Sequence, residues 1–450
     1  MSTLNSPLLL GTENIRKLLI KYSLPAIVSM TAASLYNMVD SIFIGHGVGA
    51  MGIAGLAITL PFMNIAAAAG ALVGVGSSTL MSMKLGQKDV KSASIILGNV
   101  VLLNLIIGSI FTIISLTFLD DILRFFGASN VTLPYAKDYM TVILFGNIIT
   151  HTYLGLNDSL RASGYPKKAM YATLFAIVIN VILNYFFIFI FGMGIKGAAL
   201  ATVLSQALAL AFIVIHFSDK KHFMHFKRGI WQLNPKIAKG ILSIGLSPFL
   251  MNACASMVVI LINNSLQKFG GDLAIGAYGI VNRIAFLFIM INMGFNQGMQ
   301  PIAGFNYGAR KTDRLMKVYK YTVACTTCVV IIGFIAGQFF THELISLFST
   351  DEKLMELAAR GLHLVMAAFP LVGFQMSTSS FFQSIGMPQK SIFLSLNRQL
   401  IFLIPFLFIL PTFWGEEGVW LSMPFADVVA FITAAIMIRY QIRKFKKEPK

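Results

Sequence analysis

Long apolar stretches recur along the whole chain, separated by short segments that hold most of the charged residues. A helix needs about 20 residues to cross the ~30 Å hydrocarbon core of a bilayer. Membrane strands would instead show weak alternation over short segments and would have to close into a barrel. The pattern predicts an all-α integral membrane protein with twelve transmembrane helices. We place these spans at residues 18–44, 51–79, 94–119, 139–158, 169–191, 197–217, 241–266, 273–302, 316–340, 357–384, 391–413 and 418–439.

The chain also contains an internal repeat of about half its length. At an offset of 222 residues Gly49 matches Gly271 and Gly76 matches Gly298, and near the carboxy terminus the offset falls to 221. Six spans per copy is an even number, so both copies have the same orientation in the membrane. Such parallel repeats occur in alternating-access transporters. The predicted division is an amino-terminal six-helix lobe at 1–217, a cytoplasmic basic linker at 218–238 and a carboxy-terminal six-helix lobe at 239–450.

Composition agrees with a membrane protein, and the charge indicates its orientation. Hydrophobic residues make up 56% of the chain and charged residues 12%, whereas soluble domains carry roughly 25% charged residues. The net charge of +17 would be compatible with nucleic-acid binding in a soluble protein. Here most Lys and Arg fall in alternate loops and at both termini, which is the positive-inside pattern. We therefore expect cytoplasmic termini, the lipid bilayer as partner and no nucleic acid.

Polar residues inside the predicted spans are concentrated in the first lobe. The second lobe has apolar residues at the matching positions of the repeat. A carboxylate at the centre of a membrane helix costs ~2.5–3.5 kcal/mol and usually marks an ion or proton pathway. The asparagines and the threonine could alternatively serve only to bond helices together. The candidate cation- or proton-binding residues are Asp40, Tyr36 and Asn37 on one face of the first span, Asn180 and Asn184 on one face of the fifth, and Thr202 in the sixth.

The second lobe has a different polar pattern. Asn292, Asn296 and Gln300 step by four along the eighth span, and Arg283 lies in the same span. Asp427 of the twelfth span is the natural buried counter-charge for Arg283. These five residues are candidates for lining a substrate cavity, and a purely structural ion pair is an equal alternative for the two charged ones.

Pro25 lies fifteen residues before Asp40 in the first span. Proline removes one backbone hydrogen bond and loosens a helix. The sequence therefore predicts a bending point at Pro25, although proline in membrane helices can also serve packing.

Four segments of the chain resemble the multidrug and toxic compound extrusion (MATE) family, in its prokaryotic DinF/MepA-like branch. They are LPAIVSMTAASLYNMVDSIFIG, SLRASGYPKKAMYA, NVILNYFFIFIFGMGIKGAALAT and QGMQPIAGFNYGARK. The resemblance implies a MATE/MOP-type fold and a monomer in the prokaryotic cytoplasmic membrane. It also implies antiport of small lipophilic or cationic compounds against H⁺ or Na⁺, with no cofactor. In that branch the aspartate matched by Asp40 works with residues matching Tyr36, Asn180, position 184 and Thr202.

Position 184 departs from the family, which commonly has aspartate where this chain has Asn184. The cluster then carries at most one negative charge. That weakens the case for tight Na⁺ binding, and we favour H⁺ as the coupling ion.

Two other functions are compatible with a polytopic membrane protein. A flippase for a lipid-linked precursor would need a strongly cationic central cavity, which one central arginine does not provide. A membrane-embedded enzyme would need a catalytic cluster, whereas the histidines are scattered without helical pairing to carboxylates. An antiporter, not an enzyme, is the function that the sequence favours.

Overall fold

The computed structural model describes residues 7–227 and 229–447, without the side chains of residues 37, 38, 50, 272 and 447. Within these ranges the secondary structure is helical, with no strand. A 3₁₀ turn at Pro7–Gly11 precedes the first long helix, and two π-helices lie at Tyr185–Ile190 and Asn397–Leu403. The α-helices are α1 Ile15–Gly47, α2 Ala50–Gly86, α3 Val90–Thr117, α4 Leu119–Phe125, α5 Leu133–Ala162, α6 Pro166–Asn184, α7 Gly194–Ser218, α8 Pro235–Gly308, α9 Thr312–Phe339, α10 Thr341–Ser346, α11 Glu352–Met366, α12 Phe369–Ser384, α13 Pro388–Leu396 and α14 Ile404–Lys447.

The helices account for the twelve predicted spans in the described part of the chain. Ten helical segments are long and apolar enough to cross a membrane, and α11 with α12 forms one more span, bent by 52°. One of these ten segments, Pro388–Lys446, is 59 residues long. Its backbone is non-helical at Gly415, so this segment forms two spans, and the total is twelve. Pro370, at the second position of α12, explains the bend, since proline cannot continue a preceding helix without losing a hydrogen bond.

The repeat found in the sequence is present in the backbone. Gly49 and its mate Gly271 have φ of 90° and 71°, and Gly194 and its mate Gly415 have φ of 59° and 56°. L-residues with side chains rarely adopt this left-handed region, whereas glycine does so readily. Each pair lies at the turn between two consecutive spans. The two-repeat, twelve-helix prediction is therefore confirmed, and the matched glycines are explained by turn geometry.

A second set of glycines allows backbones to touch. A Cβ atom on Gly76 of α2 would collide with the carbonyl oxygen of Ile241 in α8, and a Cβ on Gly245 would collide with the carbonyl oxygen of Leu72. Both are backbone atoms, which cannot rotate away as a flexible side-chain end could. The first part of α8 and α2 therefore pack with their main chains in direct contact.

We expect Gly245→Ala to destabilise the protein, because overpacking at a rigid contact typically costs about 1–3 kcal/mol. The matched control is Gly279→Ala, in the second part of α8, where a Cβ atom would meet nothing within 4 Å. Thermal unfolding of both variants in the same detergent measures the difference. Equal melting temperatures for the two variants would contradict the close approach at Gly245.

The described residues pack into two compact units. The first is formed by the chain up to Glu13, Val28–Asn252 and Gly304–Ala309; the second is formed by Asn14–Ile27, Ala253–Ala303 and the chain from Arg310. Each unit has its own apolar core, around Leu123 and Leu144 in the first and around Leu362 and Trp420 in the second. The start of α1 thus belongs to the second unit and the start of α8 to the first. The division of the chain into lobes at 1–217 and 239–450 stays a prediction.

Candidate cation site

The polar residues predicted from the first lobe meet inside the first unit. Asp40 lies near the end of α1, Asn180 and Asn184 lie one turn apart at the end of α6, and Thr202 lies in α7. Asp40 is 6% exposed, Asn180 1% and Asn184 0%. A buried carboxylate among apolar helices needs hydrogen bonds or a counter-charge. The structure supplies the hydrogen bonds.

Asn184 connects the carboxylate to the rest of the cluster. Its Nδ2 donates to Asp40 Oδ1 at 2.8 Å and to Asn180 Oδ1 at 2.6 Å. Both N–H groups of the amide are thereby used. An aspartate at this position would have no N–H to donate, so the amide of Asn184 makes the hydrogen bond to Asp40 possible.

Thr202 and Tyr36 extend the network. Asn180 Nδ2 donates to Thr202 Oγ1 at 3.1 Å, and Thr202 Oγ1 donates to the Ala198 carbonyl at 3.1 Å. The Tyr36 hydroxyl lies 3.0 Å from Thr202 Oγ1. Because the threonine proton is already used, Tyr36 is the donor in this contact. Three helices are thus joined by one continuous hydrogen-bonded chain that ends at Asp40.

Two oxygen atoms of the cluster remain available. Asn184 Oδ1 is buried and has no hydrogen-bond partner among the described residues. Of the two carboxylate oxygens of Asp40, only Oδ1 is bonded within the same set. Carboxylate and amide oxygens are the ligands that hard cations prefer, and a carboxylate oxygen also accepts a proton. The arrangement can therefore hold either kind of positive charge.

A π-helix follows directly after Asn184. It covers Tyr185–Ile190, and the chain then turns at Gly192 and Gly194, which both have positive φ. Single π-turns inside membrane or soluble helices are often found at functional sites. This π-helix ends the fifth span, immediately after the cluster residue Asn184. It had no recognisable signal in the apolar sequence YFFIFI.

One residue of the site was missed from the sequence. Tyr139 of α5 is 2% exposed, and its hydroxyl interacts with Thr202 of the cluster. A fourth helix therefore contributes to the cluster. The sequence offers a weak signal, since a tyrosine in a membrane span needs a polar partner when it is buried, but nothing in the sequence indicates which span it faces.

The remaining first-span candidates have different outcomes. The side chain of Asn37 lies outside the described residues. Pro25 lies within the continuous helix α1, two residues before the point, between Ile27 and Val28, at which α1 passes from the second unit to the first. Bending at Pro25 stays a prediction.

The second-lobe candidates do not form one cluster. Asn296 Nδ2 donates to Asn292 Oδ1 at 2.9 Å, and both residues are buried, as is Gln300. Arg283 is exposed. Asp427 is buried and accepts a hydrogen bond from Nε of Arg398. The pairing of Asp427 with Arg283 that the sequence suggested is therefore wrong, because Arg398 contacts the carboxylate.

Comparison with known proteins agrees with this architecture. The MatE family model matches the chain twice, at residues 25–186 and 248–409. Together the two matches cover more than half of the 450 residues. The chain belongs to the MATE family. The double match to one model also confirms the internal duplication. Membership of a transporter family places this multi-pass membrane protein among transporters.

Curated relatives and a solved structure extend over nearly the whole chain. The multidrug export protein MepA of Staphylococcus haemolyticus is 29% identical over 439 residues, which is 96% of this chain and 94% of the relative. MepA of Staphylococcus aureus strain N315 is 28% identical over 427 residues, 95% of this chain and 94% of the relative. An outward-facing multidrug resistance MATE transporter of the MOP superfamily superposes with a TM-score of 0.92 at 26% identity, covering 98% of this chain and 99% of that one.

Proposed function

We propose that this MATE protein exports small lipophilic or cationic compounds across a bacterial cell membrane by alternating access, driven by inward movement of a cation bound at Asp40. The observation that carries the proposal is the buried carboxylate of Asp40, held by Asn184 in a network of neutral oxygen and nitrogen groups. The multidrug export function of the MepA relatives supports the substrate class.

Two modes of cation binding fit the geometry. A proton can bind the second oxygen of Asp40, which makes no hydrogen bond among the described residues. A sodium ion would instead need several oxygen ligands, and the candidates are the carboxylate of Asp40 and the free Oδ1 of Asn184. Since the cluster contains a single carboxylate, it supplies one formal negative charge. One charge is enough for one proton, and we infer that H⁺ is the coupling ion.

Binding at Asp40 can influence transport because the hydrogen-bonded chain joins α1, α6 and α7. Protonation removes the negative charge that accepts the bond from Asn184 Nδ2, and this bond to a charged acceptor is stronger than one to a neutral acid. The helices are then less tightly joined at this point. A cation shifts a conformational balance only if it binds one state better than the other, and a change in this network provides such a difference.

Transport in proteoliposomes tests the proposal. The purified protein is reconstituted, and uptake of a lipophilic dye cation is followed after imposing a pH gradient, a Na⁺ gradient or neither. We expect gradient-dependent dye movement, with the pH gradient sufficient in the absence of Na⁺. Dye movement that is equal with and without both gradients would contradict coupled export.

A further inference from the structure

The segment that connects α7 to α8, residues 219–234, is fastened to the first unit. The amide of Phe226 donates to the carbonyl of Phe217 in the last turn of α7 at 2.7 Å, and the two rings lie 5.7 Å apart. Farther along the segment, Nδ2 of Asn99 in α3 donates to the carbonyl of Gln232 at 3.1 Å. The basic linker expected from the sequence is thus held at two places.

Two stacked histidine rings belong to the first of these attachments. His216 near the end of α7 and His222 of the connecting segment have ring centroids 3.8 Å apart. The ring of Tyr165, the residue before α6, lies 4.6 Å from the ring of His216 and 5.3 Å from that of His222. Met224, two residues after His222, is 0% exposed. Aromatic and apolar packing therefore holds the segment on α6 and α7.

The stack requires a neutral imidazole at His216. Nζ of Lys168 in α6 lies 2.9 Å from Nδ1 of His216. Because an ammonium group has only donors, Nδ1 is the acceptor and the proton of the ring is on Nε2. That atom is buried and has no hydrogen-bond partner among the described residues. A second proton, on Nδ1, would remove the acceptor and set two positive charges against each other.

The groups around the pair also favour a neutral His222. Besides Tyr165, whose hydroxyl is 3.3 Å from Nδ1 of His222, the charged or titratable groups that interact with the pair are Lys168, Asp219 and His225. Oδ2 of Asp219 is 3.9 Å from Nε2 of His222, and the Asp219 side chain is 45% exposed, so solvent screens its attraction. Burial, and then the charge of Lys168, lowers the pKa of His222 below its ordinary range.

These interactions set the direction of the pH dependence. The attached segment favours a neutral His222, whereas a released segment takes up a proton at the ordinary histidine pKa of about 6.5. The released form therefore binds more protons, and a rise in pH stabilises the attachment. The attachment has its full strength above about pH 6.5 and weakens as the pH falls below that value.

The second unit has a lysine at the matching position of the repeat but no titratable acceptor for it. Lys390 matches Lys168 at the offset of 222 residues. Its Nζ donates to Oε1 of Gln441, which is 0% exposed. An amide takes up no proton in the physiological range. The lysine of the first unit is thus bonded to a group that responds to pH, and the lysine of the second unit to one that does not.

We propose that His216 and His222 form a pH-sensitive latch, which holds the connecting segment on the first unit at neutral pH and releases it in acid. The positive-inside pattern predicts that this end of α7 is cytoplasmic, where a histidine pair would respond to cytoplasmic pH. The effect on transport rests on the proposed H⁺-coupled export. The latch joins α6 to α7, the helices that Asn180 and Thr202 join at the cation site. Release loosens this helix pair at one end, and we expect export to slow as imported protons acidify the cytoplasm.

Hydrogen–deuterium exchange tests the latch without transport. The reporter is the amide of Phe226, whose bond to the Phe217 carbonyl belongs to the attachment. Exchange of the purified full-length protein is measured one unit above and one unit below the ordinary histidine pKa of about 6.5, with rates corrected for the intrinsic pH dependence of exchange. We expect protection of this amide to fall at least about tenfold at the lower pH, since one unit changes a protonation ratio tenfold. Equal protection at the two pH values would overturn the latch.

Variants assign the pH response to the two rings. His216→Gln with His222→Phe removes both titratable groups, while glutamine can still accept from Lys168 and phenylalanine keeps an aromatic ring in the stack. Its protection at the two pH values should agree within about twofold. His222→Phe alone replaces the double variant if that protein does not fold. His46→Gln removes an exposed histidine of the same unit and should behave as the wild type does. A loss of protection in acid as large as that of the wild type, in the variant without both rings, would also overturn the latch.

Dye uptake into everted membrane vesicles tests the effect on export, because their outer buffer contacts the cytoplasmic face. The same inward-acid pH difference is imposed with the outer buffer above or below the ordinary histidine pKa. We expect wild-type uptake to be several-fold slower with the acidic outer buffer, and uptake by His216→Gln with His222→Phe to be equally fast in both. Equal slowing of wild type and variant would overturn the regulatory role. If neither protein takes up dye under any gradient, the proposed export function fails, while the exchange measurement still decides whether the latch exists.

Discussion

Replacing Asp40 by asparagine is expected to abolish gradient-driven export. In the wild type, Asn184 Nδ2 donates to Asp40 Oδ1 at 2.8 Å. Asparagine has nearly the same size as aspartate, and its Oδ1 can still accept this hydrogen bond. The protein should therefore fold and insert. The amide cannot take up a proton or neutralise a cation, so the only carboxylate of the cluster is lost. We expect dye transport under a pH gradient to fall to the level of protein-free vesicles.

Asp138→Asn is the matched control for this change. Asp138 belongs to the same unit but is exposed and pairs with Lys196 at 3.2 Å. Exposed ion pairs contribute about 0–1 kcal/mol, so this variant should transport as the wild type does. Wild-type export by Asp40→Asn at equal protein content would remove Asp40 from the mechanism.

Much of the fold could be predicted because membrane helices are recognised in a sequence by their long apolar runs and by the residues at the turns between them. Apolar runs follow from the thickness of the bilayer. The matched glycines follow from backbone turns such as those at Gly49 and Gly271, where a positive φ favours glycine over other residues. The short helices α4 and α10 and the bend between α11 and α12 were not predicted. They depend on local backbone geometry, to which hydropathy is insensitive.

The candidate site was predicted in part for a related reason. A carboxylate and amides within apolar spans are conspicuous, so Asp40, Asn180, Asn184 and Thr202 could be selected from the sequence, and the structure brings them together. Their convergence required three helices to face one another, which no sequence pattern establishes. Tyr139 was missed because its span is ordinary in composition.

The second unit shows where sequence reasoning fails. Asp427 needed a buried counter-charge, and Arg283 was chosen because it lies near the middle of an apolar span. Arg398, at the start of the π-helix Asn397–Leu403, contacts Asp427 instead, and Arg283 is exposed. A π-turn inserts one extra residue per turn, and nothing in the sequence NRQLIFL fixes its position.

Asn184→Asp is expected to make transport depend more strongly on Na⁺. The wild-type amide donates to both Asp40 and Asn180, and an aspartate would replace these donors by a second negative charge beside Asp40. Two adjacent carboxylates repel each other unless a cation lies between them or one takes up a proton. A sodium ion would then have two charged ligands in the variant, whereas the wild-type cluster offers only the carboxylate of Asp40.

The measurement compares wild type and Asn184→Asp under a Na⁺ gradient at clamped pH, and then under a pH gradient without Na⁺. The wild type should respond to the pH gradient alone, while the variant should gain at least about tenfold in apparent Na⁺ affinity, since one additional charged ligand contributes on the order of 1.4 kcal/mol or more. Asn157→Asp adds an acid at another buried asparagine of the first unit and should produce no such gain. A wild type that requires Na⁺ and ignores the pH gradient would overturn the assignment of H⁺ as coupling ion, because a single carboxylate with neutral amide ligands would then suffice to bind Na⁺.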